Sequence, residues 1–209
     1  VDILKGRRLT GLQKTRDGFI IRCGAEKFTA PKVVNAAGAW AGSAAQQAGA
    51  QRVPLTAYRR HLYFTALEKE RGSWPFVWDL SQDLYFRPMG RRLLISPCDK
   101  TLERRGDRRE KVDPAMKTRL YEKMGRFEGA LAGLRVVQAK SGLRTMSPDG
   151  RFVIGEDGRL KGFYWVAGLG GHGVTTCFSV GELAADLVLE KKTDARMTRA
   201  FSPRRFNAS

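Results

Sequence analysis

The sequence predicts a mixed α+β and α/β fold: an α/β layer interrupted by an antiparallel-sheet insertion. Three observations predict it. Residues 33–48 and 163–190 each read as a buried strand, a turn of small residues and a helix. Residues 58–98 instead carry aromatic and β-branched runs separated by turn residues. The α/β pattern returns after residue 140, which divides the chain into 1–57, 58–140 and 141–209, with the first and last parts forming one layer system.

Taken in order, Leu9–Thr15, Phe19–Cys23 and Glu26–Ala30 read as a strand meander, with Asp17-Gly18 as a hairpin turn. Val33 to Gly38 is a buried strand entering a small-residue turn. Ala39 to Ala48 is an Ala-rich helix closed by Gly49. Tyr58–Thr65, Phe76–Trp78, Asp83–Arg87 and Arg92–Ser96 are the inserted strands. Residues 99–112 form a charged loop, and Asp113-Pro114 caps a helix reaching about Phe127. Leu131–Ala139 and Phe152–Gly155 are further strands. Phe163–Ala167 runs through a glycine-rich loop into a helix from Val174 to Glu190. Val174, Cys177, Phe178, Ala184, Leu187 and Val188 form its apolar face, with Gly181 on the same face. The remainder reads as a charged tail.

The chain has 209 residues, 42% of them apolar, with four Trp and eleven Phe. That is a globular composition able to bury a core. The formal charge of +17 raises nucleic acid as a partner, but no recognition motif accompanies it. Between Asp99 and Asp113 six basic residues alternate with five acidic ones, which is a solvated mixture. A more acidic part of the same protein would also offset the charge. Cys23, Cys98 and Cys177 have neither metal-ligand spacing nor a disulfide framework, which fits a reducing, cytoplasmic setting. No apolar run is long enough to span a bilayer, leaving at most attachment at a membrane surface. The opening Val1-Asp2-Ile3-Leu4 reads as mid-strand, so an upstream segment is expected.

Three segments carry chemistry. In Gly168-Leu169-Gly170-Gly171-His172-Gly173 the glycines allow close ligand approach, and the helix that follows offers free N–H groups and a positive dipole end. A tight turn without a ligand has the same pattern. The loop lacks the βαβ context of a dinucleotide fingerprint, because no strand follows its helix. Val33-Val34-Asn35-Ala36-Ala37-Gly38-Ala39-Trp40 would let a flat ligand lie on small residues, or would simply pack closely. Arg144, ahead of the Ser147-Pro148-Asp149-Gly150 turn, suits a carboxylate, or is a surface residue.

Together, in this order, the three segments resemble the D-amino-acid-oxidase-like flavoproteins, which include glycine oxidase, sarcosine oxidase and D-amino-acid dehydrogenases. The resemblance spans Leu9 to the last helix. It implies an incomplete FAD-binding, Rossmann-like layer around a substrate domain. It implies FAD packed near Ala36, Ala37, Gly38 and Trp40 and faced by Gly168, Gly170, Gly171, His172, Gly173, Val174 and Thr175. It implies a small amine or amino-acid substrate held by Arg144 and met by Tyr85, with hydride transfer to the flavin, which carries the hard chemistry. Arg59, Arg60 and His61 fall where the chain enters the substrate domain. Gly142 stands where some members attach flavin through Cys, which implies non-covalent FAD. Thr175 stands where the same members carry Lys, which favours a dehydrogenase over an oxidase and leaves the electron acceptor open. Full-length members begin with a glycine fingerprint absent here, a stretch of about 150 residues. The rival expectations are an incomplete piece needing its ADP-binding half or a second copy, and a basic nucleic-acid-binding module with steep salt dependence.

Overall fold

The structure, a computed structural model, describes residues 1–69, 72–103, 112–127, 129 and 131–206. It divides into two units, Val1–Thr56 with Arg144–Ser209 and Ala57–Leu143.

In the first unit, β1 (Gly11–Lys14), β2 (Phe19–Cys23) and β3 (Glu26–Ala30) form an antiparallel meander. β4 (Val33–Asn35) leads through a 3-10 turn, Gly38–Trp40, into α1 (Ala41–Ala48), which is closed by Gly49 at φ 73°. The second sheet of this unit holds β4, with two later strands, β11 (Val153–Glu156) and β12 (Phe163–Ala167), in the order β11-β12-β4. Strand alternation assigns its faces. Phe163, Trp165 and Ala167 join Phe19, Ala41 and Ala45 in one cluster. Ile154 and Val166 meet Val180 and Leu183 of α3 (Cys177–Val188) on the other face.

Asp157, 2% exposed, ties this unit together. Its carboxylate accepts from Gln51 N, Arg159 N, Leu160 N and Trp165 Nε1 at 2.8–3.2 Å. Four backbone and side-chain N–H groups thus solvate a buried carboxylate.

The second unit is built on β5 (Thr56–Ala66), β6 (Val77–Asp79), β7 (Leu84–Met89), β8 (Arg92–Ser96), the short β9 (Thr101–Leu102) and β10 (Val136–Met146), ordered β10-β5-β8-β7-β6 with β9 on β5. α2 (Pro114–Met124) begins where Asp113 accepts from Ala115 N. Leu120 and Met124 of α2 seal one sheet face against Tyr63, Leu84, Phe86, Leu93 and Ile95.

Several expectations change. The strand expected at Leu131–Ala139 lies at Val136–Met146, because Gly133 at φ 73° breaks any extended run before it. Val1–Leu4 is exposed and not in a strand. The charged loop contains β9, and residues 104–111 lie outside the described residues. The tail folds into α4 (Ala195–Phe201), whose N-cap Asp194 accepts from Arg196 N and Met197 N, followed by a 3-10 turn at Pro203–Phe206. Arg205 then grips Asp149 through two nitrogens at 2.8 and 3.1 Å. Among the described residues no helix is long and apolar enough to cross a membrane.

Candidate functional site

β4 and β12 are parallel neighbours, with Val33 beside Phe163 and Asn35 beside Trp165. Both strands therefore end at the same edge of the sheet. Ala36–Trp40 and Gly168–Thr175 leave that edge side by side, although 132 positions separate Ala36 from Gly168 in the sequence. The carboxyl ends of parallel strands are where open α/β sheets bind ligands.

Local bonds shape each segment. Asn35 is buried; its Nδ2 donates to Ala41 O at 2.9 Å and its Oδ1 accepts from Ala37 N at 3.3 Å. That pair folds the chain back as it leaves β4. Ala36 and Gly38 are exposed, Ala37 is half-buried and Trp40 is exposed. Sequence reading missed Asn35. The available signal was a polar residue at an apolar-patterned strand end.

On the β12 side, Gly168 is buried, Gly170 and Gly173 are half-buried, and Gly171, His172, Val174 and Thr175 are exposed. The His172 carbonyl accepts from Thr175 Oγ1, Thr176 Oγ1 and Thr176 N at 2.8–3.0 Å. This holds residues 172–176 as a turn, so the helix starts at Cys177 rather than Val174. The expected apolar face also changes. Val180 and Leu183 are buried, whereas Val174 and Phe178 are 88% and 91% exposed and Gly181 has open space around it.

Arg144 meets the same loop. A Cβ built on Gly171 would stand 2.9 Å from Arg144 Nε and 3.0 Å from Cζ, and Gly171 sits at φ 118°. Only glycine lets the backbone close on the guanidinium. Gly170 N also donates to Thr145 O at 3.0 Å, docking the loop on the end of β10. Two segments that the sequence could only rank separately are thus in contact.

Tyr85 belongs to the second unit. It pairs with Ser96 and Trp78 across the sheet, on the face opposite α2, and its ring lies 5.7 Å from that of Phe76. Arg59 is committed to Glu103 and Ser141. His61 is fully buried. Its Nδ1 faces Asp99 Oδ2 at 2.8 Å, and its Nε2 accepts from Asp113 N at 3.0 Å. That acceptor role assigns the proton to Nδ1. Burial raises the Asp99 carboxyl pKa, but hydrogen bonds from the His61 ring and backbone outweigh it and hold the group below its ordinary value. His61 is sealed away and fixes the entry of α2. Among the described residues no group of His, Cys, Asp and Glu forms a metal site.

The geometry can be set beside known proteins. A family model of FAD-dependent oxidoreductases, DAO, matches residues 1–187. The chain belongs to this family. Its relatives include the uncharacterized oxidoreductase YurR of Bacillus subtilis (strain 168), 25% identical over 169 residues, which are 81% of this chain and 45% of YurR. Among solved structures, L-proline dehydrogenase from P. horikoshii superposes with TM-score 0.83 at 22% identity, covering 96% of this chain and 54% of that one. Glycine oxidase from Geobacillus kaustophilus gives 0.79 at 23% identity, covering 93% and 51%. This chain therefore shares their fold and spans about half the length of the relatives it matches.

The residues present fit the family's cofactor. Gly171, His172, Val174 and Thr175 before α3 are exposed, and a Cβ at Gly38 would meet nothing within 4 Å. Ala36–Trp40 and Gly170–Thr175 would hold an FAD ring system, with the positive end of α3 toward its electron-rich edge.

Proposed function

We propose that this chain supplies the flavin-facing and substrate-facing parts of an FAD-dependent oxidoreductase that oxidises the C–N bond of a small amino acid or amine. The single observation that carries this reading is the closure of Gly171 on Arg144 at the edge where β4 and β12 end. FAD, bound without a covalent link, would accept the two electrons and the hydrogen leaving the substrate carbon.

The chain's own residues do the rest. Arg144 pairs with the substrate carboxylate and fixes its position beside the loop. Gly171 holds the guanidinium in that pose by leaving no room elsewhere. The turn centred on the His172 carbonyl aims the N–H groups of α3 toward developing negative charge. Tyr85 lies beside Phe76 on an aromatic face of the second unit, which suits the substrate contact that the family resemblance implies for Tyr85. Thr175 gives its hydroxyl to the His172 carbonyl and carries no cation, which favours an electron acceptor other than oxygen. Division into a frame, residues 1–57 and 141–209, and a substrate region, 58–140, suits these roles. Three unpaired cysteines suit a cytoplasmic protein, whether free or held at a membrane surface.

The test is optical. FAD added to the purified chain should develop protein-bound flavin absorbance, and anaerobic glycine, sarcosine or proline should bleach it. Bound flavin that no carboxylated amine bleaches would refute the substrate assignment.

One observation favours a second reading, that catalysis needs a complementary ADP-binding half or a second copy. The chain spans about half of its relatives, and Val34, Val174 and Phe178 leave apolar surface uncovered in the first unit. On this reading the chain alone stays colourless and gains flavin only with the other half. Salt-insensitive behaviour toward oligonucleotides would dismiss nucleic acid as a partner.

A further inference from the structure

The chain beyond α3 gathers positive charge. Residues 191–206 hold six Lys and Arg against one acidic residue, Asp194. The fold pins this segment down. Phe201 stacks on Phe152 with ring centroids 5.7 Å apart, and Gln51 Nε2 donates to Pro203 O at 2.6 Å. Arg205 spends its nitrogens on Asp149 and on the carbonyls of Arg151, Phe201 and Ser202 at 2.8–3.2 Å.

Against this platform lies a cavity of about 480 Å³, lined by Arg151, Ala195, Arg196, Arg199, Ala200 and Arg205. No carboxylate lines it. Arg151, Arg196 and Arg199 are exposed, and among the described residues no hydrogen bond or ion pair engages their side chains. The nearby carboxylates are committed elsewhere. Asp149 serves Arg205. Asp194 accepts from Arg196 N and Met197 N as the cap of α4. Glu156 accepts from Gly162 N and lies 3.6 Å from Arg204. Positive potential is therefore concentrated in a concavity with no internal counter-charge. Guanidinium forks match phosphoryl oxygens, and a phosphoryl group brings close to two negative charges and three acceptors to three open cations. A concavity of this size suits a small molecule or a single headgroup, whereas a long polyanion needs an extended surface.

We propose that the cavity bounded by Arg151, Arg196 and Arg199 binds a phosphoryl group, carried by a soluble molecule or a lipid headgroup. The position belongs to the first unit and stands independently of the flavin and amine roles given above.

The probe is inorganic pyrophosphate, titrated calorimetrically into the purified chain, with sodium chloride at matched ionic strength as the blank. Pyrophosphate should bind saturably. Arg196→Gln and Arg199→Gln should each weaken it about tenfold, and Arg199→Lys, which keeps the charge and loses the fork, about threefold. Lys192→Gln removes an exposed charge outside the cavity and should change binding less than about twofold. Equal weakening by Lys192→Gln and Arg199→Gln would reduce the effect to diffuse charge and overturn the proposal, as would a response that never saturates. Thermal melting gives a second readout. Arg199→Gln should leave the midpoint within about 1 °C; a larger fall would mean that the guanidinium is already engaged, and also overturns the proposal. Sedimentation with phosphatidylglycerol vesicles identifies the carrier. Capture that pyrophosphate reverses assigns a lipid headgroup, and no capture assigns a soluble phosphate. Capture that pyrophosphate cannot reverse counts against the site.

Discussion

The two units leave different things unspent. In the first, no buried side-chain polar atom of the described residues lacks a partner: Asp157 collects four N–H groups, and Gln51 bonds Pro203 O and Gly158 N. Its surplus is apolar, in Val34, Trp40, Val174 and Phe178. In the second, α2 covers one sheet face, Phe76, Trp78, Leu80 and Val137 stay exposed, and a polar surplus is added. The buried side-chain atoms without partners among the described residues are Arg60 Nε, Tyr63 Oη, Thr65 Oγ1 and Gln82 Oε1, all in this unit. Uncovered apolar surface is a demand for another protein surface, whereas buried unpaired polarity is a demand for a ligand or a tolerated cost. Both units keep an apolar flank, and the second alone adds buried unpaired polarity among the described residues.

The most severe way to break this contrast is to remove the anion that satisfies the scaffold. Asp157→Ala should cost about 4 kcal/mol, because several buried N–H groups lose their acceptor together; urea denaturation measures it. A loss below about 1 kcal/mol would show that the first unit is not held by its polar network.

Next comes the contact between the loop and the arginine. Gly171→Ala should displace Arg144 and weaken a carboxylated substrate by about 2 kcal/mol, as Arg144→Lys should. The flavin-loaded protein should show this mainly as a raised KM, and the double variant should be no worse than either single one. Additive losses would separate the two residues.

A smaller effect concerns the tail. The hydrogen bonds from Arg205 to Asp149 hold that carboxyl well below its ordinary range. A depressed folded-state pKa stabilises above the unfolded value, about 3.9, and the stabilisation is lost as pH falls below it. Because Asp149 is partly solvated, the contribution is about 1 kcal/mol. Arg205→Ala should remove it at neutral pH and flatten the acid limb of the stability curve.

The smallest effect sharpens the comparison. Val174→Ser with Phe178→Ser should change unfolding free energy by less than about 0.5 kcal/mol while reducing self-association in sedimentation. A large destabilisation would mean that these side chains are already covered.

Much of both units was readable from local pattern. Phe19–Cys23, Glu26–Ala30, Arg92–Ser96 and Phe163–Ala167 form strands at their expected limits, and Asp113 and Gly49 cap the expected helices. Each of these depends on neighbours a few positions away: alternation, a turn residue, a cap. The start of α3 was misjudged because Val174 and Phe178 have helical spacing, and spacing cannot say whether anything covers them. The strand at Val136 was misjudged because an apolar run does not reveal that Gly133 turns left-handed.

Residue order by itself therefore determined the elements, the family resemblance and the small-residue segments, since all of these are local in the chain. Only the tertiary structure decided that Ala36 and Gly168 emerge together, that Gly171 closes on Arg144, and that Gln51 and Trp165 converge on Asp157. Those outcomes depend on strand pairing and burial between residues far apart in sequence, and no local preference encodes which distant group will arrive.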